Sequence, residues 1–401
     1  RDPSATVDLG NITPGDGECP KPGTPPTPPK PEPFSAVTGA LLDYLSAGAS
    51  IEAASSAMQA WGVKFAAPGS SEPLGSIEYA RILPLESQQI IATLFDPTPA
   101  DASGTVSKSG NLAVYACSGG RYVLVYDALA DKSFDGLVTD PRVLNIDDVT
   151  GDGIFDLSFL TGTCQAATCM DGVSILSAHG SGGLRNLAQD FAYVPYPTFE
   201  FVQGANNARD LVVVEGTLGD PGAGPQRGIT ATWSFNGQVF VKTSELREAP
   251  LYRIHALHDG DDALRRKDYR LADALFTQVA SDGALQPWEA NPNISNEGQM
   301  LATFAYVRLM QSAAQRNDAT GVQAWFDALN RAGPADSPGY LYAQLGAAFM
   351  ERWNATQDVA QACAAAVAFG QSQPNTTRWL GIESFGTANY DYQPEDLCIS
   401  Q

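Results

Sequence analysis

Nine residues in the middle of the chain, "DVTGDGIFD" from Asp148 to Asp156, place oxygen donors at every second position. The donors are Asp148, Thr150, Asp152, the carbonyl of Ile154, and Asp156. Oxygens at that spacing converge on one hard cation when the loop curls around it. Gly153 supplies the sharp turn, because glycine takes a positive φ at no steric cost. Calcium is the expected ion, since a flexible loop provides most of its ligands. The element is not an EF-hand: its twelfth position is Phe159, where a bidentate glutamate belongs, and strand-forming residues follow.

Other reactive side chains form no comparable set. The six cysteines are Cys19, Cys117, Cys164, Cys169, Cys363 and Cys398, with no CxxC pair among them. An even number spread through a long chain reads as disulfides, hence an oxidising compartment. Cys164 and Cys169 in "TGTCQAATCMD" lie across a hairpin connection, and neither has a neighbouring His or basic residue to activate a thiolate. Cys398 is placed to pin the chain's last stretch to Cys363. Cys19 and Cys117 are left as partners, with an intermolecular link for Cys19 as the alternative.

His255 and His258 sit i, i+3 on an expected helix beside Asp259, and His179 ends an expected strand. Without a third ligand the pair reads as a solvated helix face, and Asp259, Asp261 and Asp262 as an acidic first turn. No GxSxG elbow, P-loop or GxGxxG before a helix is present. Hydrolysis by two carboxylates needs only a pair among 45 acidic residues, so a glycoside hydrolase or peptidase stands as the rival class. A carbohydrate-binding module with an aromatic platform, Trp233 or Tyr196 included, is a third reading.

The elements that must hold these residues follow from composition and pattern. A chain of 401 residues has room for two or three domains, and its net charge of −21 argues against nucleic acid and anionic lipid as partners. The simplest role of that acidity is a solvated surface. No run of about 18 apolar residues exists to span a bilayer. The start at Arg1 suggests a processed precursor or a trimmed chain, and sequons at Asn293, Asn354 and Asn375 are compatible with secretion.

Residues 1–34, with "CPKPGTPPTPPKPEP", read as an extended, semi-rigid spacer. Residues 35–66 read as a helical hairpin, with Ser35 and Ser50 as N-caps and Gly48 and Gly62 as stops. Residues 67–250 alternate short Val/Ile/Tyr/Phe runs with turns, and Asn236-Gly237 marks a hairpin. Residues 251–401 read as successive helices joined by short loops, ending in an irregular tail.

On these residues two resemblances rest. "IDDVTGDGIFDLSFLTGTC…DGVSILSAHGSGGL", about 143–187, resembles one FG-GAP or VCBS-type repeat, the calcium-loop blade of integrin-like β-propellers. Asp148, Asp152, Gly153 and Asp156 match its motif; Thr150 departs from the usual Asn or Asp. "SGNLAVYACSGGRYVLVYDAL" is similar to a degenerate neighbour without the loop. "GDDALRRKDYRLADALFTQVASD" resembles a tetratricopeptide-type helical pair, with Asp268-Tyr269 at the turn and Ala272, Leu275, Phe276 and Val279 on the packed face. This resemblance extends over about 251–370 without a strict 34-residue period. The order of elements is similar to that of secreted proteins of filamentous bacteria, which brings no activity with it.

The expected architecture is therefore α+β and multidomain: a short N-terminal helical hairpin, a central antiparallel β domain (partly propeller-like, with room for some four small blades, or a sandwich), then a TPR-like helical domain. The expected function is a secreted or cell-surface, non-catalytic, calcium-stabilised scaffold. It would bind protein partners, or assemble with itself, at the cell envelope or in an extracellular filament.

Overall fold

The computed structural model describes residues 19–63, 75–85, 87–95, 110–131, 138, 141–165, 168–179, 183–188, 191, 193–288 and 296–399, with backbone only at 163–165, 168 and 221. The chain divides into two compact units, Arg1–Gly216 with Ile229–Leu246, and Thr217–Gly228 with Arg247–Gln401.

The first unit opens with the helical pair, α1 (Val37–Ser46) and α2 (Ile51–Ala60). Ser50 caps α2 by accepting from the Ala53 N–H, which satisfies one of the free donors of the first turn. Ser35 does not cap α1; it lies in a 3₁₀ turn, Phe34–Ala36, that runs into the helix. Gly48 and Gly62 take φ of +90° and +95° just past each helix, where a Cβ would be strained.

Three antiparallel sheets follow in chain order. The first contains β1 (Ser76–Ala80), β2 (Gln89–Phe95), β3 (Gly110–Ser118) and β4 (Arg121–Asp127). The second contains β5 (Arg142–Asp147), β6 (Asp156–Gln165), β7 (Thr168–Ser177) and β8 (Arg185–Asn186), with β9 (Val194–Pro195) also pairing β7. The third contains β10 (Thr198–Gln203), β11 (Arg209–Glu215), β12 (Ile229–Phe235) and β13 (Phe240–Arg247).

Alternation along the strands sets the layers. Ile90, Ala92, Leu94, Ala113, Tyr115 and Cys117 pack on α1 and α2. Their neighbours Ile91, Leu112, Val114 and Ala116 pack on Leu157, Phe159 and Leu176 of the second sheet. The opposite face of that sheet, Leu160, Val173 and Ile175, meets Leu211, Val213, Ala231, Trp233 and Phe240 of the third. Trp233 is therefore core, with its ring 5.0 Å from Phe191, and cannot form an exposed sugar platform. The β12–β13 turn is longer than a two-residue hairpin. It spans residues 236–239, with the Asn236 Oδ1 accepting from the Gln238 and Val239 N–H groups.

The described part of the proline-rich stretch is not a free spacer. Every residue from Thr24 to Pro33 is a proline or precedes one, which restricts the whole run to the polyproline II region. It lies on the helical pair, and the Cys19–Cys117 disulfide fastens its start to β3.

The second unit is built on three helical hairpins: α3 (Arg253–Arg265) with α4 (Tyr269–Ser281), α5 (Glu297–Gln315) with α6 (Ala319–Ala332), and α7 (Tyr340–Thr356) with α8 (Val359–Ser372). Each turn has the same design. A residue in left-handed conformation, Lys267, Asn317 or Gln357, ends the first helix. An aspartate, Asp268, Asp318 or Asp358, then caps the second by accepting from its first-turn N–H groups. Within α3, Gly260 is required by contact: a Cβ there would lie 2.5 Å from the Phe276 ring of α4. After two short helices, α9 (Asn375–Arg378) and α10 (Ile382–Phe385), the tail returns to the core. Tyr392 and Leu397 are buried there and Cys398 is bonded to Cys363.

Among the described residues no helix is long and apolar enough to cross a membrane, and the two disulfides point to an oxidising compartment.

Candidate functional site

The Asp148–Asp156 loop joins β5 to β6, so it connects two strands of one sheet. Its carboxylates are turned onto its own backbone. Asp148 Oδ1 accepts from Gly151 and Asp152 N–H (2.7 and 3.1 Å), and Oδ2 from Gly153 N–H (2.8 Å). Asp152 Oδ1 accepts from Ile154 N–H, while Oδ2 lies 2.9 Å from Nδ1 of His179. Asp156 Oδ2 accepts from Val149 and Thr150 N–H (2.9 and 3.0 Å).

Gly151 and Gly153 have φ of +78° and +86°. A Cβ on Gly151 would meet the backbone of Asn207 and Ala208 at 2.8 Å, so the loop tip is wedged against the β10–β11 turn. The Val149 carbonyl accepts from Arg209 N–H, and the Arg209 side chain pairs with Asp147 at 2.7 Å. The loop thereby joins the second sheet to the third.

Among the described residues no three His, Cys, Asp or Glu side chains converge as a metal site. Among the described residues, two buried oxygens of the loop, Thr150 Oγ1 and Asp156 Oδ1, make no well-formed hydrogen bond, although the Thr150 and Ser177 hydroxyls lie near enough to the carboxylate to favour its charged form. Burial pushes the Asp156 carboxyl up to about 6, against the pull of Ser177 and of the Thr150 and Val149 N–H groups. Those two oxygens are what a hard cation would find here, with Asp148 and Asp152 retaining unused lone pairs at the rim.

Of the sequence-predicted cysteines, Cys19 pairs with Cys117 and Cys363 with Cys398. Cys164 and Cys169 are direct partners in the β6–β7 register and Cys169 is disulfide-bonded; the Cys164 side chain lies outside the described residues, as does Asn293.

The α3 residues differ most from expectation. His255 and His258 are buried, not solvated. His255 Nε2 lies 3.1 Å from the Pro225 carbonyl, and the His258 ring packs 4.5 Å from Tyr390 and 5.9 Å from Tyr392. The acidic residues do not form a first turn, because α3 begins at Arg253. Each is answered by an arginine: Asp259 by Arg227, Asp261 by Arg308, Asp262 by Arg247.

At the centre, Arg308 on α5 uses all five of its N–H donors. Two go to Asp261, at 2.7 and 2.9 Å, and one each to Gln311 Oε1 and the carbonyls of Leu397 and Asp396. Gln311 and Gln315, farther along α5, donate to the carbonyls of Leu397 and Ile399. The cluster fixes the tail to the helices, and the arginines 227, 247 and 308 that complete it were not singled out by sequence.

Its histidines give a pH dependence. Burial first, then the neighbouring His255 and the cations of Arg227, Arg247 and Arg265, hold His258 well below its ordinary value; burial also lowers His255. Each therefore takes up its proton at a lower pH in the folded chain than in the unfolded one. The unfolded chain therefore binds more protons below pH about 6.5, and stability falls as pH falls. The expected loss is up to about 1.4 kcal/mol per pH unit for each histidine until the folded value is reached. Urea midpoints of His258→Phe between pH 7 and 5 should move less than those of the parent. Equal slopes would remove His258 from this account.

No known protein-family model matches this chain, and no curated protein matches it.

Proposed function

We propose that this protein is a secreted or cell-surface, non-catalytic scaffold that mediates protein–protein assembly at the cell envelope or in an extracellular filament. The observation that carries the reading is the threefold use of one helical hairpin, each with a left-handed residue and a capping aspartate at its turn. Stacked helical pairs of this TPR-like kind offer extended surfaces for protein partners. The capping aspartates stand 50 and 40 residues apart, so the units are irregular in length. Sheets of four, five and four strands stacked face to face in chain order support the partial-propeller reading of the β region, in which the Asp148 loop would act as an FG-GAP or VCBS-type blade loop.

Native protein recovered from the cell surface or medium without detergent should run as a stoichiometric complex or a homopolymer in light scattering. A monomer that cleaves a glycan or peptide would overturn the proposal.

In this reading calcium stiffens the loop, with Asp148, Thr150, Asp152, the Ile154 carbonyl and Asp156 as its ligands. Bound calcium would neutralise the buried Asp156 carboxylate and satisfy Thr150 Oγ1. Millimolar calcium should raise the melting temperature of the β region by several degrees over EDTA, and Asp156→Asn should abolish that increment. An identical melting temperature in both buffers removes calcium from the proposal.

A further inference from the structure

The docked proline-rich segment has the geometry of a ligand in a recognition groove. Residues 25, 28 and 31 are half-buried and those between them exposed, a period of three that ends before the 3₁₀ turn at Phe34. Three residues is one turn of polyproline II, so a single face of that helix is engaged over residues 25–31.

The donors follow the same period. Tyr44 Oη on α1 donates to the Pro25 carbonyl at 2.9 Å, and Trp61 Nε1 at the end of α2 donates to the Pro28 carbonyl at 3.1 Å. Tyr44 and Trp61 are 4% and 2% exposed and belong to the core under the segment, so their donors are held in fixed positions. Gly23 adds a flanking pair of bonds, N–H to the Gly48 carbonyl and carbonyl from Ser50 N–H. Aromatic donors set one turn apart and addressing main-chain carbonyls are the means by which shallow grooves read polyproline II peptides. The preformed helix loses little entropy on docking.

We propose that α1 and α2 form a polyproline-reading groove whose ligand class is a proline-rich peptide with prolines three apart, and that residues 23–34 fill it in cis. Tyr44 and Trp61 are its reading residues. The Cys19–Cys117 bridge holds the cis ligand at high effective concentration, so the groove rejects peptides in trans while the segment is docked.

The test uses the full chain with Pro25, Pro28 and Pro31 all changed to Gly, which keeps the disulfide but frees the segment from polyproline II. The probe is a fluorescein-labelled peptide of residues 23–34, followed by anisotropy. The variant should bind it at least tenfold more tightly than the parent does. A peptide with the same three glycines should fail to compete. Adding Tyr44→Phe and Trp61→Phe to the variant should weaken binding at least fivefold. If circular dichroism shows the triple variant unfolded, the single change Pro28→Gly is judged by the same comparisons. Equal binding by variant and parent, or binding unaffected by loss of the two donors, overturns the proposal.

Discussion

Replacing Arg308 by methionine is expected to cost the helical unit about 3–5 kcal/mol, the usual result of removing one partner of a buried ion pair. Both Arg308 and Asp261 are fully buried, so the change leaves a buried carboxylate without its hydrogen-bonded cation. Tyr392 Oη would still donate to Asp261, but a neutral donor does not balance the charge. The carbonyls of Asp396 and Leu397 lose donors at the same time. Arg308→Lys should fall between, because an ammonium keeps the charge without the five-donor fork. Adding Asp261→Leu to the methionine variant should recover part of the loss, not all, since the tail carbonyls stay short of partners. Urea unfolding followed by far-ultraviolet circular dichroism measures each difference. A methionine variant within 1 kcal/mol (about one tenth of a typical domain's stability) of the parent would show that the pair carries little.

The second large effect concerns the other unit. Cys19 and Cys117 are 98 residues apart in sequence, and opening a loop of that size is expected to cost about 4–5 kcal/mol through the entropy regained by the unfolded chain. The Cys363–Cys398 bridge spans 35 residues and should cost about 4 kcal/mol. Serine pairs at each bridge can be unfolded in urea under non-reducing conditions. The Cys19→Ser/Cys117→Ser chain should lose its β signal first, since that bridge ties to β3, while Cys363→Ser/Cys398→Ser should lose helix first. Midpoints equal to the parent's in both variants would mean that neither bridge constrains the unfolded chain.

Local signals carried the elements well. Helical spacing marked α1 to α8, and Asp268 at its turn was legible because a short polar side chain favours caps. The β6–β7 hairpin was legible from the cysteines at its ends. What escaped was long-range. Arg308 lies 47 residues from Asp261, and nothing local couples them. A signal was nevertheless present: "LATFAYVRLMQSAA" is apolar on every side, so α5 is a buried helix and its arginine needs a buried acid. The stacking of sheets was hidden for a related reason. β2 and β3 are buried on both faces, so their sequences lose the alternation that would assign a face. In the Asp148 loop the oxygens were legible, but not that Gly151 presses on the β10–β11 turn, which only the third dimension brings near.

At both described ends the chain is held by its carbonyls: Pro25 and Pro28 on one side, Asp396, Leu397 and Ile399 on the other. A peptidase draws its substrate into the cleft as an extended strand by bonding to those same main-chain groups. Here they are already engaged, and a disulfide stands within a few residues of each end. A segment clasped in this way offers such a cleft fewer free main-chain groups, so both should be cut more slowly than an exposed loop whose carbonyls face solvent.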